Sequence, residues 1–79
     1  MEKVTLNFTP GVVVASSTTD RIVSVESGVA KLCFGPLGSG VFMTFRAGEK
    51  IIIPAGIALN GYASEEQKNA VIVIGPFGV

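Results

Sequence analysis

The chain has 79 residues and no formal net charge; 48% of its residues are apolar and 15% are charged. A chain of this length forms one domain, and we predict a single β domain over residues 1–79. Six basic and six acidic residues are scattered along it, which argues against nucleic acid or a membrane surface as a partner.

Short runs with β-strand character follow one another, each closed by turn residues. In the first run Val4, Leu6 and Phe8 alternate with polar residues, and in the third run Val23 and Val25 share one face. Eight strands are predicted, at residues 3–9, 12–16, 21–26, 29–34, 41–46, 50–53, 57–62 and 70–74.

The segments between and within these runs carry further expectations. Residues 35–40, GPLGSG, form a predicted loop. The run KIII at 50–53 does not alternate and is predicted to be buried on both faces. The stretch SEEQKN is interpreted as a solvated turn in which Ser64 is the capping residue and Gln67 is its reciprocal hydrogen-bond partner.

No segment shows a helical period over ten or more residues. Eight short strands separated by turns are typical of an all-β protein. We therefore predict a small eight-stranded jelly roll, which is a β-sandwich or barrel.

The stretch that begins with AGEKIIIPAG has a spacing of its own. Gly48 is followed by five residues, then by Pro54, one residue and Gly56. This resembles the second motif of the cupin family, in which two more residues lead to a histidine and three further ones to an asparagine. Leu59 stands at the histidine position here, and Ala63 stands at the asparagine position.

The upstream stretch RIVSVESGVAKLCFG resembles the paired strands of the first cupin motif, with Gly28 at the turn. The acidic metal ligand of that motif would lie seven residues earlier, at Arg21, and its two histidines would fall in VVVASS. The resemblance covers roughly residues 20 to 62. It implies a cupin-like small β-barrel or jelly roll that lacks the metal ligands, so no metal and no other cofactor is expected.

Gly48, Pro54 and Gly56 are interpreted as structural turn residues. Glycine adopts backbone angles that are closed to other residues, and proline ends a strand because it lacks a backbone donor. The fold requires these turns and this strand end even when the metal ligands are absent.

No set of residues for catalysis is predicted. The chain has no histidine, and general acid–base work needs a tuned titratable group. The adjacent Glu65 and Glu66 are interpreted as a solvated surface. Cys33, the one cysteine, lies among apolar residues and is interpreted as a buried, inert thiol. We therefore predict that the protein is not an enzyme and that it has no catalytic residues.

The main functional hypothesis is a structural or assembly protein, such as a self-associating decoration, cement or other virion component of a phage-like capsid. A high apolar fraction with few charges indicates apolar surface that meets other proteins. A closed homo-oligomer, taken as a trimer, within a larger assembly is predicted. Phe42 and Phe77 are the residues expected to contact a partner.

The alternative hypothesis is a metal-free cupin-like module that binds a small apolar ligand. Leu59, Phe42 and Tyr62 would line its pocket. An alternative for Phe42 itself is that it belongs to a second buried face of the barrel wall.

Overall fold

The computed structural model describes residues 2–9, 11–34 and 42–77. Its eight strands lie where the eight β runs were predicted, which confirms the all-β fold class. The predicted loop at residues 35–40 lies outside the described residues. The strands are β1 (Glu2–Asn7), β2 (Val12–Val14), β3 (Arg21–Ser27), β4 (Val29–Phe34), β5 (Met43–Arg46), β6 (Lys50–Ile53), β7 (Leu59–Ala63) and β8 (Asn69–Pro76).

The strands form two four-stranded antiparallel sheets. The first sheet has the order β1-β8-β3-β6 and the second has the order β2-β7-β4-β5. The chain crosses repeatedly from one sheet to the other, as two Greek keys require, so the fold is a small jelly roll. β1 and β6 are the edge strands of the first sheet, and β2 and β5 are those of the second. The site described below lies between β1 and β2.

The core lies between the two sheets and is built by the alternation seen in the sequence. Val23 and Val25 of β3 are buried, whereas Glu26 is exposed. Inward-facing residues of both sheets meet in one cluster, because successive side chains of a strand point to opposite faces. Its members are Leu6, Val23, Val25, Ala30, Leu32, Ile53, Leu59, Ala63, Ala70, Ile72 and Ile74.

The run KIII is not buried on both faces, and that prediction is wrong. Ile53 has no exposed surface, but 42% of Ile52 is exposed. The reason is the position of β6, which is the last strand of the first sheet and pairs with β3. One face of this edge strand turns to the core, and the other faces solvent.

The segment between β7 and β8 forms a single polar turn at Ser64. The Gln67 backbone N–H donates to Ser64 Oγ over 3.3 Å, and the Lys68 N–H donates to the Ser64 carbonyl over 2.9 Å. Lys68 then takes a positive φ of 68° before β8 begins. The Ser64–Gln67 bond is the one predicted from the sequence, and it supports one turn.

Candidate functional site

The glycines and the proline of the GEKIIIPAG stretch lie at turns. Gly48 has a φ of 93° and Gly56 has a φ of 83°. The Gly48 N–H donates to the Val25 carbonyl over 2.9 Å, and the Gly56 N–H donates to the Ser17 carbonyl over 2.8 Å. Pro54 follows directly after β6. The spacing of Gly48, Pro54 and Gly56 therefore determines the path of the backbone. The N–H groups of the two glycines hold that path by hydrogen bonds to other parts of the chain.

The two positions where the cupin motif has metal-binding and polar residues are occupied by core residues here. Leu59 and Ala63 have no exposed surface. Leu59 pairs with Val14 in β2 and with Phe34 in β4, at the inner face of the second sheet. The volume in which a histidine would project is filled by a leucine.

These residues do not fit a metal ion. The chain has no histidine, and Arg21, a cation, stands where an acidic ligand would be. Within residues 2–9, 11–34 and 42–77, no three histidine, cysteine, aspartate or glutamate side chains come together in a way that could hold a metal. Leucine offers no ligand atom to a metal, and the positive charge of arginine repels a divalent cation.

A cleft opens where the edge strands of the two sheets lie side by side, and we call it the edge cleft. Its volume is about 380 Å³. β1 and β2 supply apolar walls, and Arg21 reaches it from the start of β3. The lining residues are Glu2, Val4, Val12, Val13, Val14, Ala15 and Arg21. The structure thus brings Val4 of β1, residues 12–15 and Arg21 around one opening.

Arg21 is the cation of the edge cleft, and it is held in place by one backbone contact. Its Nη2 donates to the Ala15 carbonyl over 3.0 Å. Its Nε is buried, and no acceptor in the described part of the chain reaches it. Arg21 and the exposed Glu2 also line a neighbouring depression of about 360 Å³. Sequence reasoning missed this arrangement, although alternation with Val23 places Arg21 on the inner face.

A smaller pocket lies on the outer face of the second sheet, and we call it the aromatic pocket. The rings of Phe42 and Tyr62 meet edge to face with centroids 5.0 Å apart. The pocket holds about 130 Å³ and also contacts Asn60. Leu59 was predicted to line a pocket with Phe42 and Tyr62, but it points to the opposite side of β7, into the core.

Phe77 lies apart from these two aromatic residues. Its side chain is 47% exposed, and its backbone N–H donates to the Asp20 carbonyl over 3.3 Å. Asp20 in turn accepts a hydrogen bond at Oδ1 from the Ala55 N–H over 2.8 Å. The end of β8 is therefore tied to the loop that precedes β3.

A fourth opening, a depression of about 400 Å³, lies over β4 and β5. Two basic and two acidic side chains face it, so it offers no net charge to select a charged ligand. Its lining residues are Val29, Lys31, Thr44, Arg46, Ser64, Glu65 and Glu66.

Cys33 is expected to react slowly with thiol reagents. Only 2% of the residue is exposed, and its Sγ donates to the Phe34 carbonyl over 3.4 Å. Reaction requires local opening, so the folded protein should be modified more than about 100-fold more slowly than the urea-unfolded chain. Absorbance with Ellman's reagent measures both rates, and comparable rates would contradict the burial of the thiol.

No family model and no curated protein matches the sequence. Solved structures do match in fold. Hydroxypropylphosphonic acid epoxidase from S. wedmorenis in complex with fosfomycin has a TM-score of 0.79 at 10% identity, covering 95% of this chain and 41% of that chain. FeII HppE in complex with substrate has a TM-score of 0.80 at 13% identity, covering 95% and 44%.

A cupin-2 domain protein from Shewanella frigidimarina matches with a TM-score of 0.62 at 25% identity, covering 94% of this chain and 66% of that chain. The present chain thus spans about two fifths of the length of the enzyme chains that it resembles. It has the fold of a small cupin module, which confirms the cupin-like jelly roll. Identities of 10% and 13% with the enzymes support a shared fold but do not support a shared activity.

The hypothesis of a virion or capsid-decorating protein is wrong. The similar structures are cupin-fold proteins, an enzyme among them, and nothing in them points to a capsid protein. Of the two residues that we expected to contact a partner, Phe77 is 47% exposed and Phe42 packs against Tyr62, and neither contact identifies a capsid as the partner. Self-association is a separate matter and stays a prediction.

Proposed function

We propose that this chain is a metal-free cupin-like module that binds a small, largely apolar molecule in the edge cleft without catalysing a reaction on it. The observation that carries the proposal is the cleft itself. Its volume of about 380 Å³ lies within the roughly 300–1,000 Å³ range of ligand pockets. The space deeper in the barrel is filled by Leu59 and its neighbours.

The walls of the edge cleft are suited to an apolar chain. Val4, Val12 and Val14 are half-buried and pack against the core from their inner sides. A ligand that covers their remaining surface and buries about 150 Å² of apolar area gains roughly 4 kcal/mol. The full gain corresponds to a dissociation constant of about 1 mM. Ordering the ligand offsets part of it, so we expect dissociation constants on the order of 10 mM for short chains.

The other three openings support the proposal less well. The aromatic pocket holds about 130 Å³, which is room for a few heavy atoms. The depression over β4 and β5 is larger, but four charged side chains line it, and an apolar ligand would have to desolvate them. The depression beside Glu2 and Arg21 has Ile74 and Pro76 as its larger apolar side chains. The edge cleft combines volume, apolar walls and a single inward cation.

The absence of catalysis is part of the proposal and rests on where the reactive groups lie. Glu65 and Glu66 are exposed in the turn before β8, and Cys33 is buried in β4 on the outer side of the second sheet. None of the three lines the edge cleft. A molecule held there therefore meets valines, one arginine and one exposed glutamate.

Titration with hexan-1-ol tests the proposal. In ¹H–¹⁵N correlation spectra of the labelled protein we expect shift changes concentrated at the edge cleft. The variant Val14→Phe fills the cleft and should weaken binding at least about fivefold, because the ring occupies the ligand volume. The matched control Ile52→Phe adds the same ring at an exposed site of β6.

Two results would count against the edge cleft. One is a set of shift changes confined to the aromatic pocket at Phe42 and Tyr62. The other is equal binding by the Val14→Phe and Ile52→Phe variants. Thermal melts of both variants establish that they are folded before they are compared.

A further inference from the structure

We infer that the ligand of the edge cleft carries a carboxylate and that the guanidinium of Arg21 binds it. The edge cleft would thus take a short-chain carboxylic acid in its anionic form. This inference rests on the proposed function and adds the chemical class of the ligand. Four features of the structure lead to it.

The alternation of side chains along β3 places Arg21 on the face of the strand that points toward the core. Arg21 shares the face of β3 that buries Val23 and Val25, and it pairs across the sheet with the fully buried Ile53. A charged residue on an inner face must extend along apolar surface to reach water. Here the side chain reaches the opening formed by β1 and β2, so its charge is presented inside the edge cleft.

Among residues 2–9, 11–34 and 42–77, no carboxylate forms an ion pair with Arg21. Guanidinium has five donors and stays protonated, but the hydrogen bond that Arg21 makes is to the neutral carbonyl of Ala15. Its Nε is buried and meets no acceptor within the described residues. A partly desolvated cation in this condition is unfavourable, and an anion that docks beside it relieves the cost.

The neighbouring acids are engaged elsewhere or are exposed. The Asp20 carboxylate accepts the Ala55 N–H, and Glu26 forms an ion pair with Lys3 at 3.1 Å. Glu2 is the carboxylate that lines the cleft with Arg21, and it is exposed. These positions leave the guanidinium available to an incoming anion.

The surroundings favour a monoanionic carboxylate on an apolar tail. A carboxylate matches the planar fork of arginine with two parallel hydrogen bonds. Val4, Val12 and Val14 lie beside the charge and can cover the tail. Glu2 lines the same cleft, and its negative charge repels a dianion such as a phosphate monoester more strongly than a monoanion.

Three probes of equal chain length test the inference: hexanoate, hexan-1-ol and hexyl phosphate, titrated at pH 7 and followed by ¹H–¹⁵N spectra. In the unaltered protein hexanoate should bind about tenfold more tightly than hexan-1-ol, as charge-assisted hydrogen bonds predict. Hexyl phosphate should bind more weakly than hexanoate. The preference for hexanoate should fall as salt is added, because salt screens the pair.

Four variants separate the charge from the shape of the site. Arg21→Gln should bring the ratio of hexanoate to hexan-1-ol affinity down to about one, and Arg21→Lys should restore part of it. Glu2→Gln should tighten hexanoate binding about twofold to threefold by removing a repelling charge. Lys50→Gln removes an exposed cation of β6 outside the cleft and should leave the ratio as it is.

The results distinguish this inference from the proposed function. If hexan-1-ol shifts the edge cleft and hexanoate binds no better, or if Arg21→Gln leaves the ratio intact, the inference falls and the proposed function stands. Tighter binding of hexyl phosphate than of hexanoate overturns the assignment to a carboxylate. If none of the probes shifts the edge cleft, the proposed function fails and the inference with it.

Discussion

Replacement of Leu59 by alanine is expected to lower the free energy of unfolding by about 3 kcal/mol. Leu59 has no exposed surface and lies between Val14 and Phe34 in the second sheet. Truncation removes buried apolar surface and leaves a cavity, and both effects act in the same direction. Urea denaturation followed by far-UV circular dichroism measures the change.

The control for this prediction is Ile52→Ala. Ile52 is also a large aliphatic residue in a strand, but 42% of it is exposed, so the expected loss is below about 1 kcal/mol. A chain of this size has a total stability of roughly 4–12 kcal/mol, so Leu59→Val gives a milder measurement of about 1 kcal/mol if the alanine variant unfolds. Equal losses at Leu59 and Ile52 would contradict the placement of Leu59 at the centre of the core.

Replacement of Gly28 by alanine is expected to destabilise the fold by about 3 kcal/mol. Gly28 joins β3 to β4 with a φ of 76°, a backbone angle that residues with a side chain rarely adopt. In addition, a Cβ there would lie 2.7 Å from the carbonyl oxygen of Asn69 and 3.0 Å from the Cα of Ala70. These contacts are with backbone, so β3, β4 and β8 would have to separate.

Gly48→Ala is the matched control, because it removes the steric part of the effect. Gly48 has a φ of 93°, but an added Cβ would meet nothing within 4 Å. The cost should therefore be that of the backbone angle alone, about 1 kcal/mol. Urea midpoints at constant slope compare the two variants, and a loss at Gly48 as large as that at Gly28 would show that contact with β8 does not matter.

The strands themselves were predictable because their signal is local. Alternation of apolar and polar residues placed Val23 and Val25 on the buried face, and turn residues marked where each run stops. The Ser64–Gln67 hydrogen bond was predictable for the same reason, since both partners lie in one turn. Each of these features depends on residues that are near each other in the chain.

The candidate site was predictable only in part. The cupin-like spacing from Gly48 to Gly56 led to the correct fold and to Leu59 as the replacement for a metal ligand. It did not lead to the edge cleft, because the lining segments come from β1, β2 and β3. Phe42 and Tyr62 do meet, but Leu59 points away from them, since neighbours along a strand face opposite sides of the sheet.

The error about a capsid protein has a physical explanation. The fraction of apolar residues, 48%, states how many apolar side chains the chain has and not which of them are exposed. We assigned the excess to an outer face. The structure buries Leu6 and Leu32 in the core and leaves Val13, Met43 and Phe77 exposed. Exposed apolar residues do not identify a partner, and it is the likeness to cupin-fold structures that overturns the capsid hypothesis.

Local order along the chain therefore follows from the amino acids alone: eight strands, their turns, the face that β3 buries and a cupin-like jelly roll. The stacking of the two sheets settles the rest. It leaves Ile52 exposed at an edge, buries Leu59 completely and brings Glu2 and Val4 of β1 to one cleft with Arg21. The physical reason is that burial, edge position and the meeting of distant side chains depend on which strands become neighbours, and pairing across a jelly roll joins residues far apart in sequence.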